Sequence, residues 1–135
     1  MPESKTIMVV DDDLTLREMY EERLKAEGFV VTGAADGEEA YKKAQEEHPS
    51  LIILDIMMPK LNGIDTLKKL RADDKTQDIP VIILTALVQE IDKIKEMMRP
   101  NDSYLVKSEE MPKDVVSKVY MALNEGEAKK EEEKE

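Results

Sequence analysis

Three short runs are apolar at every position: Ile7–Val10, Leu51–Leu54 and Val81–Leu84. Each is too short for a helix. Unbroken Val, Ile, Leu and Met, without polar alternation, is the pattern of strands covered on both faces, and sheets of such strands are parallel. Two further runs, Phe29–Val31 and the weaker Tyr104–Val106, complete a set of five.

Between the runs lie segments with helical periodicity. From Leu16 to Ala26, apolar Leu16, Met19, Tyr20 and Leu24 recur at helical spacing, and Gly28 is placed to end the helix in the left-handed conformation. The second helix starts at Asp36, with Glu39 three residues on as the partner of a capping box, and His48-Pro49 closes it. The third, Ile64 to Arg71, aligns Ile64, Leu67, Lys68 and Arg71, with Leu70 beside them. The fourth covers about Val88 to Met98 with Ile91, Ile94 and Met98 aligned, and Pro100 stops it early. The fifth, Pro112 to Asn124, carries Val115, Val119 and Leu123 on one stripe, with Val116 and Tyr120 adjacent. Strand and helix thus alternate five times, which predicts an α/β fold with a parallel sheet and helices on both faces.

Composition narrows the function. The 135 residues suffice for one domain. With no cysteine and a single histidine, His48, thiolate chemistry and multi-histidine metal sites are excluded. The formal charge of −11, from 20 basic and 31 acidic side chains, argues against nucleic acid and anionic membranes as partners. The N-terminus has no secretory pattern and no run is long enough to span a membrane, so a cytoplasmic location is expected. The methionines are read as core filling.

In a parallel sheet of this kind, ligands bind beyond the carboxyl ends of the strands. There the chain places Asp11, Asp12 and Asp13 after the first strand, Asp55 after the third, Thr85 after the fourth and Lys107 after the fifth. Asp13 is read as a helix cap. Crowded carboxylates repel one another, and a hard divalent ion with oxygen ligands relieves this. Nothing resembles a nucleotide-binding glycine loop, so the chain is not expected to bind ATP itself.

The runs MVVDDD, LIILDIMMP, VIILTA and SYLVKS, in this order and spacing, resemble the receiver domain of response regulators in two-component signalling. The resemblance covers about Lys5 to Asn124 and implies a flavodoxin-like sheet with strand order 2-1-3-4-5. It implies that Asp55 accepts a phosphoryl group from a sensor histidine kinase or a histidine phosphotransfer protein. It implies Mg²⁺ held by Asp12, Asp55 and the main-chain carbonyl of Met57, with Asp11 acting mainly through metal-bound water. Thr85 and Lys107 would contact phosphoryl oxygens, and Thr85 with Tyr104 would form a switch. The expected face for a downstream protein target is helix four, strand five and helix five.

The resulting expectation is a stand-alone receiver over residues 1–124, followed by a charged tail over 125–135 that is disordered or a frayed helical extension. It is a phospho-accepting signalling domain rather than an enzyme, with oligomeric state left open. Two alternatives are a phosphorylation-independent scaffold and a Mg²⁺-dependent aspartyl phosphatase; the second lacks an acid two residues after Asp55, where Met57 stands. Ser108 replaces the proline usual after Lys107, which predicts a trans peptide there. Apolar Met57 and Leu87 beside the expected water path predict slow self-hydrolysis of the aspartyl phosphate.

Overall fold

The structure, a computed structural model, describes residues 5–56, 63–85, 91–99, 102–106 and 113–123. Its elements alternate without interruption: β1 (Thr6–Val10), α1 (Leu14–Ala26), β2 (Val30–Ala34), α2 (Gly37–Glu47), β3 (Leu51–Asp55), α3 (Gly63–Ala72), β4 (Val81–Thr85), α4 (Ile91–Met97) and β5 (Ser103–Val106). A last helix, α5, spans 113–123. The strands form one parallel sheet in the order β2-β1-β3-β4-β5. The apolar runs implied a parallel sheet, and the resemblance implied this flavodoxin-like strand order.

Side-chain alternation along buried strands divides the core in two. Met8, Val10, Ile52, Leu54, Val81 and Ile83 meet Ala40 and Ala44 of α2, Leu67 and Leu70 of α3 and Ile94 of α4. Ile7, Val9, Leu51, Ile53, Ile82, Leu84 and Leu105 meet Tyr20 and Leu24 of α1 and Val115, Val116, Val119 and Ala122 of α5. β1, β3 and β4 therefore need apolar residues at successive positions, because both faces are covered. Each fully buried Val, Leu or Ile contributes roughly 1.5–3 kcal/mol, so these strands dominate the cohesion of the fold.

Local signals set the helix ends. Asp13 caps α1, its carboxylate accepting from the Leu16 N–H. At the other end Gly28, at φ 99°, donates to Lys25 O while Phe29 donates to Leu24 O, closing the helix in a Schellman turn. Asp36 caps α2 through the Glu39 N–H, but the Glu39 carboxylate returns to the Ala35 N–H, one residue before the cap. His48 is exposed in the left-handed conformation at φ 48°, at the end of α2. α4 ends at Met97, ahead of Pro100.

Several expectations need correction. β2 begins at Val30 and runs to Ala34, because Phe29 belongs to the turn that closes α1. Its Thr32 and Gly33 interrupt the apolar run, as an edge strand allows. Met19 and Tyr120 are exposed rather than inside, and Met121 is exposed while Met8 is fully buried, so the methionines do not share one role. Lys68 is likewise solvent-facing.

Arg71 has a role that its place on the α3 stripe did not reveal. Its Nη2 reaches both carboxylate oxygens of buried Asp102, at 2.7 and 2.5 Å, and its Nη1 donates to the carbonyls of Gln77 and Ile79. Asp102 also accepts the N–H groups of Val81 and Arg99. One carboxylate thus fixes the end of α3, the start of β4 and the approach to β5. A second tie joins α2 to the α3–β4 turn: Tyr41 and Gln45 both donate to Asp73. The Lys75 N–H, Tyr41 and Gln45 hold the Asp73 carboxyl below its ordinary pKa, and the bond to Asp73 pushes the Tyr41 phenol up.

Removing one partner of a buried, hydrogen-bonded ion pair leaves the other uncompensated. Asp102→Ala is expected to destabilise the fold by about 3–5 kcal/mol in urea denaturation. A loss below about 1 kcal/mol would show that water replaces the carboxylate without cost.

Candidate functional site

With strand order 2-1-3-4-5, the chain turns in opposite directions from β1 and β3, and the crevice between their carboxyl ends is the topological switch point. Val10 lies beside both Ala34 and Leu54. The residues that follow, Asp11 and Asp12, therefore leave the sheet next to Asp55, the last residue of β3. Asp11 and Asp55 are buried, at 1% and 3% exposure, whereas Asp12 stands in solvent. One carboxylate oxygen from each of the three lies within 4.8 Å of the others.

The sheet and its turns hold these groups. Asp11 continues the ladder by donating its N–H to Ala34 O. Its Oδ1 accepts the Asp13 N–H at 3.0 Å, and its carbonyl accepts Arg17 Nη1 at 2.7 Å. Beyond Asp55, the Ile56 N–H donates to Leu84 O, and the Ile56 carbonyl accepts the Gly63 N–H at 2.8 Å. α3 thus begins directly against the end of β3. A Cβ on Gly63 would stand 2.5 Å from both the Asp55 carbonyl oxygen and Ile56 Cα, backbone atoms with no freedom to move aside. The Asn62-Gly63 pair reads in sequence as a turn signal; its need for close approach was missed.

Two buried carboxylates and one exposed, with oxygen donors alone, are the donor set that a hard divalent cation prefers. Mg²⁺ fits this donor set: it takes few protein carboxylates and leaves positions for water and phosphate. Asp13, as expected, caps α1.

Residues 7–119 match the family described as response regulator receiver domain. The chain belongs to this family. The receiver is 48% identical over 103 residues to the probable transcriptional regulator ycf27 of Cyanophora paradoxa, covering 76% of this chain and 42% of that protein. It is 38% identical over 117 residues to the DNA-binding response regulator MtrA of Mycolicibacterium paratuberculosis, covering 87% of this chain and 50% of the relative. The chain thus spans about half the length of these relatives. Among solved structures, the chemotaxis protein CheY4 of Vibrio cholerae superposes with a TM-score of 0.81 at 28% identity, covering 90% of this chain and 100% of CheY4.

These relatives leave one exclusion unsupported. Net charge argues against nucleic acid, but it describes only this chain's own surface, and the relative MtrA is named as DNA-binding. No helix among the described residues is long and apolar enough to cross a membrane.

The other expected site residues are placed in part. Thr85 ends β4, one residue beyond Leu84, the register partner of Asp55; only its backbone is described. Tyr104 sits beside Ile83, half-buried against the α4 side of the core, with Lys95 Nζ 5.6 Å from its ring centre. Met57, Leu87, Pro100, Lys107, Ser108 and the 125–135 tail lie outside the described residues, and the trans peptide expected after Lys107 lies there too.

Because Gly63 touches the Asp55 backbone, Gly63→Ala is expected to push β3 and α3 apart at the acidic trio. Urea denaturation should show a loss of about 1–3 kcal/mol. Wild-type stability would place the strain elsewhere.

Proposed function

We propose that this receiver accepts a phosphoryl group on Asp55 and signals through protein contacts. The observation that carries this reading is the convergence of Asp11, Asp12 and Asp55 at the switch point of the sheet, with carboxylate oxygens within 4.8 Å of one another. Asp12, Asp55 and the Met57 carbonyl are proposed to hold Mg²⁺, with Asp11 acting through metal-bound water. When bound, Mg²⁺ supplies positive charge that offsets the charge on the phosphoryl oxygens.

Asp55 serves as nucleophile. One of its carboxylate oxygens bonds to phosphorus as the phosphorus–nitrogen bond of a donor phosphohistidine breaks, and the released imidazole nitrogen takes up a proton. The donor is a sensor histidine kinase or a histidine phosphotransfer protein. Asp55 lies at the end of a fully buried strand, which restricts where its carboxylate can sit. Thr85 and Lys107 are assigned to the transferred group's oxygens. Apolar Met57 and Leu87 favour slow hydrolysis of the acyl phosphate.

The new dianion biases Thr85 and Tyr104 between two arrangements, and the readout is the surface of α4, β5 and α5. A stand-alone cytoplasmic receiver acting on a separate protein is one form of this output. The transcriptional relatives and their greater length favour a second form, in which a DNA-binding domain belongs to the same polypeptide. The mass of the natural polypeptide in cell extracts separates the two.

Incubation with acetyl phosphate and Mg²⁺, followed by intact mass measurement, is expected to add one phosphoryl group to the wild type and none to Asp55→Asn. Equal labelling of both would overturn the assignment. Mg²⁺ alone should also raise the melting temperature by mass action, and this rise should shrink in Asp12→Asn. An identical rise in both would remove Asp12 from the metal site.

A further inference from the structure

We propose that Arg17 is a positioning residue for the metal and phosphoryl site, acting through the main chain of Asp11; this rests on the function proposed above. Three of the contacts that hold Asp11 bear on this. Its N–H donates to Ala34 O at 3.1 Å, its Oδ1 accepts the Asp13 N–H at 3.0 Å, and its carbonyl accepts Arg17 Nη1 at 2.7 Å. The first continues the sheet and the second belongs to the turn itself. The third comes from a side chain one helical turn into α1, so it ties the helix to the acidic turn.

Arg17 is itself restrained. Its Nε lies 3.5 Å from Glu21 Oε1, and both side chains are largely shielded, at 17% and 20% exposure. The pair lies across β2 where that strand has Gly33. A Cβ there would collide with the Glu21 carboxylate and stand 3.3 Å from Arg17 Nε. The missing side chain in the middle of β2 is thus the space that lets the guanidinium reach Asp11. An i,i+4 pair on a helix surface contributes little by itself. Here its second anchor is the carbonyl of a residue whose carboxylate belongs to the trio.

Positioning and simple charge predict opposite results. Deleting a cation beside the acidic residues, and leaving Glu21 without its partner, should tighten Mg²⁺ binding if Arg17 acts only through its field. If Arg17 fixes the turn, its loss lets the Asp11 and Asp12 carboxylates drift from the arrangement that suits the ion, and binding weakens. Residues that orient ligands typically change metal affinity by 10–100-fold when removed. The lower end is expected here, because the contact is to the main chain.

The test titrates magnesium chloride alone into the unphosphorylated full chain by calorimetry. In parallel, acetyl phosphate labelling is followed across Mg²⁺ concentrations. Arg17→Met should weaken Mg²⁺ binding about tenfold and raise the Mg²⁺ concentration for half-maximal labelling by a similar factor. Arg17→Lys, which retains a donor for the carbonyl, should recover most of the loss. Tyr41→Phe, which removes one of the two bonds tying α2 to Asp73 away from the site, should lower the melting temperature without moving either midpoint. Arg17→Gln replaces Arg17→Met if the latter does not fold, with the same expected loss.

Unchanged or tighter Mg²⁺ binding in the Arg17 variant would overturn the proposal, as would an equal shift in Tyr41→Phe. Failure of the wild type to bind Mg²⁺ or to label on Asp55 is a different result: it would overturn the function on which the proposal rests.

Discussion

Three carboxylates gathered within 4.8 Å oppose their own arrangement, so something stronger must impose it. At 4 Å, two unit charges repel by roughly 1 kcal/mol in water and by about 4 kcal/mol at an effective dielectric of 20. Burial of β1 and β3 supplies the opposing force. Ile7–Val10 and Leu51–Leu54 are fully buried, and their pairing in register leaves little freedom for the residues that follow. Apolar burial and anionic crowding are therefore two ends of one construction. The core fixes the strand ends, and the strand ends bring the three carboxylates together.

Two of the supporting contacts are made to backbone. Arg17 reaches the Asp11 carbonyl, and Gly63 lies against Asp55 and Ile56. Neither contact occupies a carboxylate oxygen of the trio. A cation or a phosphoryl group needs those oxygens, so a stabilising device that used them would compete with the ligand. The Asp13 N–H does donate to Asp11 Oδ1, so support through the peptide groups limits that competition rather than removing it.

Much of this was legible in the sequence, for identifiable reasons. Unbroken apolar runs report two-sided burial, and the residue after each run then falls on one edge of the sheet. That reasoning located Asp11, Asp12, Asp55 and Thr85 before any coordinates, and Asp13, Asp36 and Gly28 announced helix ends by their own chemistry. Edge elements were less legible. β2 pairs on one side alone, so its apolar pattern is broken by Thr32 and Gly33 and its start was misplaced onto Phe29. Tyr120 and Met19 are spaced for the core but lie at its margin, where helical periodicity does not distinguish inside from rim. Contacts between distant residues, such as Arg71 with Asp102, left no local signal: a basic residue near the end of a helix and an acidic one before a strand each look solvated when read alone.

α3 is anchored at both ends by different means. Its first residue abuts the backbone of Asp55 and Ile56, and near its last turn Arg71 grips Asp102 together with the carbonyls of Gln77 and Ile79. A helix tied at both ends is a frame, poorly suited to move when a charge is added at one of them. The opposite holds on the β5 side. Tyr104 is half-buried, and its ring is covered by exposed Lys95 through a cation–π contact whose worth at such a site is about 0.5–1 kcal/mol. An interaction of that size can be exchanged for another at little cost, whereas the Arg71–Asp102 pair cannot. The anchoring of α3 and the weak hold on the Tyr104 ring fit the output face proposed above, on the α4–β5 side. The Asp102 carboxylate bounds that side, since it ties the Arg99 N–H just beyond α4 to the start of β4.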